Sequence, residues 1–190
     1  MDLDIQPVTP NRWTDLTDLA GGRGFQSGCW CMWWRLSSRE FSSTGSAGKR
    51  AQLESLVSSG TRPGLLAYLD GVPVGWVAVA PRSEYRRLER STKLYRVDDA
   101  PVWAISCFYV HRAHRRRGIT EALISGAVDH AASAGAEEVE AYPIDTSGAR
   151  RASGDLFTGT LATFLAAGFT EVTRRGGRPI VRKKLPGRVR

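Results

Sequence analysis

The chain has 190 residues, 42% apolar and 24% charged, with 27 Lys and Arg against 19 Asp and Glu and a net charge of +8. These values exclude an intrinsically disordered or collagen-like chain, and no apolar run approaches the ~20 residues that a bilayer span requires. The length suits a single domain, 1–190, whose core needs no disulfide or metal staple, and the N-terminus carries no basic region ahead of an apolar stretch, so a soluble cytoplasmic protein is expected.

Residues 5–8 predict a short edge strand, because Pro7 cannot donate to a ladder. Thr9-Pro10 opens a helix to about Ala20, where Gly21 and Gly22 stop it. Three of the six Trp follow within five residues, Trp30, Trp33 and Trp34, beside Cys29 and Cys31. A Cys-x-Cys pair falls short of the four ligands of a structural zinc site, and the three cysteines, with Cys107, fit free thiols in a reducing compartment. Residues 47–59 read as a helix with Leu53, Leu56 and Val57 on one face. The runs 65–69 and 74–79 flank the turn signal Asp70-Gly71 and make a hairpin. Residues 82–99 are polar and predict either a short amphipathic helix or a long loop.

Residues 102–110 form a strongly apolar central strand. A basic turn, 111–118, then leads into a helix with Ile119, Leu123, Ala127 and Ala131 on its apolar face, ended by Gly135. Residues 139–142 are a strand, making a strand–helix–strand crossover with a parallel pair. A second amphipathic helix is expected over 156–167, then strands at 169–173 and 179–185 joined by Gly176-Gly177. The result is an α+β chain: a mixed, partly parallel twisted sheet with helices on both faces.

A helix N-terminus presents unpaired N–H groups and the positive end of the helix dipole, a ready anion site. Here Arg115, Arg116, Arg117 and Gly118 lead directly into one, and Gly118 has no Cβ to obstruct a ligand. The plain alternative is a solvated charge run beside a turn. No G-x-x-x-x-G-K-[ST], no third Gly after Gly22-Arg23-Gly24, no H-E-x-x-H and no G-x-S-x-G occurs. P-loop, dinucleotide-fold, zincin and nucleophile-elbow chemistries are thereby removed.

The run from Val110 through Arg115, Arg116, Arg117 and Gly118 to Ile119 and Thr120 resembles the pyrophosphate-binding motif of GNAT-superfamily acyltransferases, [Q/R]-x-x-G-x-[G/A]. Arg115 takes the first place and Gly118 the fourth, while Thr120 departs from the small residue usual at the sixth. Phe164-Leu165-Ala166-Ala167-Gly168-Phe169 resembles the family's late helix-to-strand signature. The resemblance implies the GNAT fold over roughly 1–185, acetyl-CoA or another acyl-CoA as cosubstrate without a metal, and transfer to a primary amine by direct attack in a ternary complex. It places the diphosphate on Arg115, Arg116, Arg117, Gly118, Ile119 and Thr120, and the pantetheine arm and thioester on the backbone of Phe108 and Val110.

The acid–base residues are less evident. Where members of the family carry a Glu or His base this sequence has Ala104 and Ser106, and where many carry an acidic Tyr it has Phe164. Ser106, positioning a water, and Tyr142, as a substitute acid, are the catalytic candidates; Glu84 and Tyr85 are further residues within possible reach. Cys107 has no evident partner base for a nucleophilic role. The tryptophans form either an acceptor wall or helix core, and the basic C-terminus from Arg174 to Arg190 is either a solvated face or an attraction for an acidic partner. The acceptor is a small-molecule or protein amine. A homodimer is neither demanded nor excluded, and neither a membrane nor nucleic acid is expected as a partner. Two competing readings remain: an acyl-CoA-binding regulatory domain without catalysis, supported by Ala104 and Phe164, and a basic nucleic-acid-binding protein explained by charge alone.

Overall fold

A computed structural model describes residues 2–148 and 151–186. The strands are β1 (Leu3–Pro7), β2 (Gly64–Leu69), β3 (Val72–Pro81), β4 (Trp103–Val110), β5 (Glu138–Ala141), β6 (Thr170–Arg175) and β7 (Arg178–Lys184). The helices are α1 (Trp13–Ala20), α2 (Ser38–Ser43), α3 (Ser46–Ser58), α4 (Arg86–Glu89), α5 (Ile119–Ser133) and α6 (Leu161–Ala166). All seven strands join one sheet in the order β1-β2-β3-β4-β5-β7-β6. Only β4 and β5 run parallel; every other neighbouring pair is antiparallel. This is the mixed sheet expected, with the proline-containing β1 at its rim.

Alternation along the strands decides which helices cover which face. Leu65, Ala67 and Leu69 pack with Ile119, Leu123 and Ala127 of α5 and Phe164 of α6. Leu66 and Trp76 point the other way, against Leu16 and Leu19 of α1, Leu53 and Val57 of α3, and Trp30. Each such fully buried aliphatic side chain contributes about 1.5–3 kcal/mol. The first turn of α5 reaches the sheet because β3 offers Gly75 beneath it: a Cβ there would stand 2.9 Å from Cγ2 of Ile119. Asp70 (φ 50°) and Gly71 (φ 81°) form the β2–β3 turn, both in the left-handed region that a tight hairpin demands.

Three elements differ from the sequence expectation. Helix α2 went unpredicted, although Ser37-Ser38-Arg39-Glu40 has capping-box spacing: Glu40 N–H donates to Ser37 Oγ and Ser37 N–H to the Glu40 carboxylate. The helix expected from 156 begins only at Leu161. Gly159 sits at φ 79°, which breaks any helix, and Thr160 then caps α6 by accepting from Thr163 N–H. The polar segment 82–99 contains both a single turn of helix, α4, and loop.

The sheet opens at one place. β4 pairs with β5 only through Trp103, Ala104 and Ile105. On its other side the register jumps from Ala78–Cys107 to Val79–Ile105, leaving Ser106 as the extra residue of a bulge. A bulge bends its strand, and beyond it β4 runs on to Val110 with an edge that β5 does not cover. Among the described residues no helix is long and apolar enough to cross a membrane.

Candidate functional site

The basic turn runs from the end of β4 into α5. Arg116 (φ 61°) and Gly118 (φ 74°) both take left-handed conformations, and among the described residues no side chain caps the start of α5. The first N–H groups of a 15-residue helix therefore face outward with the dipole behind them. A cavity of about 310 Å³ lies against them, lined by Val110, Arg115, Arg116, Gly118, Ile119 and Thr120, with Glu121 and Thr163 completing the wall. Ile119 offers only its main chain here, since its side chain is buried in the core. Arg117 is exposed and does not line the cavity.

A second cavity of about 300 Å³ follows the free edge of β4 and shares Val110, Arg115, Thr120 and Thr163 with the first. Buried main-chain groups on an uncovered edge need partners, and the chain supplies them itself. Phe108 N–H donates to the Phe157 carbonyl at 2.6 Å. Arg115 Nε donates to the Val110 carbonyl at 3.3 Å. The two strand residues expected to offer free groups to a ligand are thus engaged by the chain's own loop and arginine.

A third cavity, about 320 Å³, continues from there with walls of Phe25, Trp33, Trp34, Phe41, Tyr109 and Phe157, together with Cys29, Cys31, Cys107 and Asp155. The tryptophans divide between the two roles foreseen for them. Trp33 and Trp34 line the pocket, whereas Trp30 is core, its Nε1 donating to Ser46 Oγ and its ring stacked with Trp13. Trp34 Nε1 donates to the carbonyl of the bulged Ser106 at 2.9 Å, tying this wall to β4. Cys31 and Cys107 bring their sulfurs within 3.3 Å of each other. Burial, above all, pushes the Cys31 thiol well above its ordinary pKa, so it stays protonated. Among the described residues, no group of His, Cys, Asp and Glu is arranged to hold a metal ion.

The sequence profile of the acetyltransferase (GNAT) family matches residues 30–153. The chain belongs to the GNAT acetyltransferase family. No curated protein matches it in sequence. Among solved structures, a GNAT-family acetyltransferase from Listeria monocytogenes is similar with a TM-score of 0.58 at 12% identity, over 96% of this chain and 95% of that one. The PaiA N-acetyltransferase of Thermoplasma acidophilum, solved with coenzyme A, gives 0.54 at 15% identity over 97% and 100%. A putative acetyltransferase from Salmonella typhimurium, yncA, with its cofactor acetyl-CoA, gives 0.54 at 16% identity over 99% and 96%. At such identities the likeness is one of fold.

Within this GNAT chain the two catalytic candidates sit elsewhere than expected. The Tyr142 hydroxyl donates to the Glu140 carboxylate and accepts from Arg82 Nε at 3.0 Å. Tyr142 and Glu140 are fully buried, and Arg182 Nε closes the cluster on Glu140 at 2.7 Å. Burial, then the Glu140 charge, push the phenol pKa well above its ordinary value. Tyr142 is accordingly a member of a buried ion cluster and lines none of the three cavities. Arg182, expected on a solvated basic face, anchors the same cluster; Arg188 and Arg190 lie outside the described residues. Ser106 is likewise misplaced for holding a pocket water. Its hydroxyl is buried near the Tyr85 hydroxyl and lines none of the three cavities.

Glu84 is paired with Arg35 at 2.6 Å. Tyr85 is fully buried, and burial, above all, pushes its pKa up to about 12. The carboxylate that does line the aromatic pocket is Asp155. Sequence reasoning missed it because a lone Asp in a loop carries no motif.

Proposed function

We propose that this GNAT protein transfers an acetyl group from acetyl-CoA to a primary amine by direct attack in a ternary complex. The continuity of the three cavities carries this reading. The cradle at α5 shares Val110, Arg115 and Thr120 with the β4 slot, and the slot shares Phe108, Tyr109 and Phe157 with the aromatic pocket. A diphosphate suits the first, since helix N–H groups, the dipole and Arg115 and Arg116 all favour an anion. An extended pantetheine arm suits the second, and an amine suits the third, where aromatic faces and Asp155 favour a cation.

The Phe108 N–H, once released from Phe157, is the donor best placed on β4 to stabilise an oxyanion, an effect worth about 3–4 kcal/mol when well aimed. Holding amine and thioester together supplies much of the remaining acceleration. An acceptor that arrives as the neutral amine needs no dedicated base. The bond between Phe157 and Phe108 also favours a second reading, an acyl-CoA-binding domain that does no chemistry, because it closes the donor that catalysis would use. Calorimetric titration with CoA, followed by thiol release from acetyl-CoA over a panel of amines, separates the two. Binding with consumption supports the transferase, binding without consumption the regulatory domain, and no binding removes both.

A further inference from the structure

Beyond the aromatic pocket a cleft of about 890 Å³ opens, sharing Trp33, Trp34, Asp155 and Phe157 with it. Its walls come from residues 86–94, from the segment ahead of α2 and from the β6–β7 turn. It shares no residue with the cradle at α5. Arg87, Arg90, Lys93, Arg151 and Arg178 line it, and none of them has a carboxylate partner among the described residues. Of the two acidic residues in the lining, Asp145 is bound to Arg174 at 2.6 Å and Asp155 stands at the boundary with the aromatic pocket.

Elsewhere the chain supplies counter-charges to its buried arginines. Arg35 has Glu84, Arg82 has Glu89 and Glu140, and Arg182 has Asp98, Glu138 and Glu140. In the cleft the exposed Arg86 has Glu40 at 2.8 Å, but among the described residues the half-buried Arg87 and Arg178 have no carboxylate. The Arg87 guanidinium lies 3.9 Å over the Trp33 ring, with Nη1 donating to Ser38 Oγ while Nε and Nη2 are buried without an acceptor among the described residues. Half-buried Arg178 donates through Nε to the Tyr142 carbonyl and through Nη2 to Thr158 Oγ1, both at 2.9 Å, which commits two of its three nitrogens to neutral partners. Burial alone lowers the pKa of both side chains, as expected of cations partly out of water with no counter-charge. Such a cation is costly until an anion reaches it.

We infer that the acceptor is a small amine that also carries an anionic group, a carboxylate or a phosphate, held by this cleft while the amine end enters the aromatic pocket past Asp155. The inference rests on the acyl-transfer reading and names the substrate class for it. Both cavities have the dimensions of small-molecule sites. Among the described residues of the lining, the one carboxylate without an ion pair, Asp155, stands where the amine must pass, and the unpaired cations stand beyond it, so the charge order along the path matches a molecule with an ammonium at one end and an anion at the other.

The test is calorimetric titration of the full-length protein, with and without saturating CoA, using matched amines: O-phosphoethanolamine against ethanolamine, and phenylalanine against phenethylamine. The anionic member of at least one pair should bind tenfold or more tightly, and 0.5 M NaCl should narrow the gap. The pair that shows the larger preference distinguishes phosphate from carboxylate. Arg90 and Lys93 are exposed, so the double variant Arg90→Glu, Lys93→Glu should fold normally. It should bind the preferred anionic amine at least tenfold more weakly while its affinity for CoA stays within twofold. Equal or weaker binding of both anionic amines, or a charge reversal that leaves their affinity unaltered, overturns the inference. Failure of CoA to bind would strike the acyl-transfer reading instead, since the titrations without CoA report on the cleft alone.

Discussion

The main-chain N–H of Phe108 points into the slot between β4 and β5 and is met there by the carbonyl of Phe157 at 2.6 Å. The loop ahead of α6 therefore competes for the group that a ligand along β4 would use. A hydrogen bond of this kind contributes about 0.5–1.5 kcal/mol net. The Phe157 ring, 6.5 Å from Trp34, helps seat the loop. Phe157→Ala should loosen it and tighten CoA binding about 3- to 10-fold by calorimetry. Unchanged or weaker affinity would mean that the loop and the arm do not compete.

Gly118 provides a second test. Its φ of 74° suits glycine, and a Cβ there would meet nothing within 4 Å, so Gly118→Ala carries only the backbone strain of about 1–2 kcal/mol. Gly118→Asp adds a negative charge at the helix N-terminus, in the cavity proposed for the diphosphate. The alanine variant should retain measurable CoA affinity with a lowered melting temperature. The aspartate variant should lose at least 100-fold in affinity with a melting temperature no lower than that of the alanine variant.

Removing the Tyr142 hydroxyl should be a stability lesion. Tyr142→Phe leaves Glu140 and Arg82 short of a partner in a fully buried cluster, a loss of about 1–3 kcal/mol, read from urea denaturation. Acetyl transfer by the folded fraction should stay within twofold of the wild type. A fall in turnover at unaltered stability would restore the phenol to the chemistry.

Acid should weaken the α2 corner. The Ser37 hydroxyl and N–H, and then Arg86, hold the Glu40 carboxyl down at about 2 against its usual 4.5. Its folded pKa lies below the unfolded one, so its contribution is complete above about pH 5–6 and is lost as the pH falls towards 2. The urea midpoint of Glu40→Gln should lie below that of the wild type at pH 7, and the two should converge between pH 5 and 2. Asp145, held at about 2 chiefly by Ser147, should behave in the same sense.

Much of the scaffold was legible beforehand. The β4–turn–α5–β5 crossover, the hairpin on Asp70-Gly71 and the existence of two closing strands joined at Gly176-Gly177 all follow from runs of apolar residues and from glycines at the breaks. The apolar spacing from Leu156 onward predicts too early a start for α6, because it continues through Gly159, whose left-handed backbone is invisible to periodicity. Ser106 and Tyr142 are candidates in the sequence because the resemblance puts one where the family carries a base and the other on the neighbouring strand. Strand position does not reveal that a bulge turns Ser106 inward, or that Glu140 and Arg82 converge on the phenol.

Near neighbours in the chain interact whatever the remainder does, so periodicity, turn chemistry and the basic turn ahead of a helix belong to the sequence alone; with them came the family and the expectation of an anion site at the α5 N-terminus. Partners separated by dozens of residues meet only when the sheet assembles. The closure of Phe108 by Phe157, the withdrawal of Tyr142 into an ion cluster with Arg82 and Arg182, and the gathering of Arg87, Lys93 and Arg178 around one cleft were decided there. Water and salt screen charges beyond about 10 Å, so pairing depends on which residues the fold brings close, and no linear spacing encodes which arginine finds a carboxylate and which is left without one.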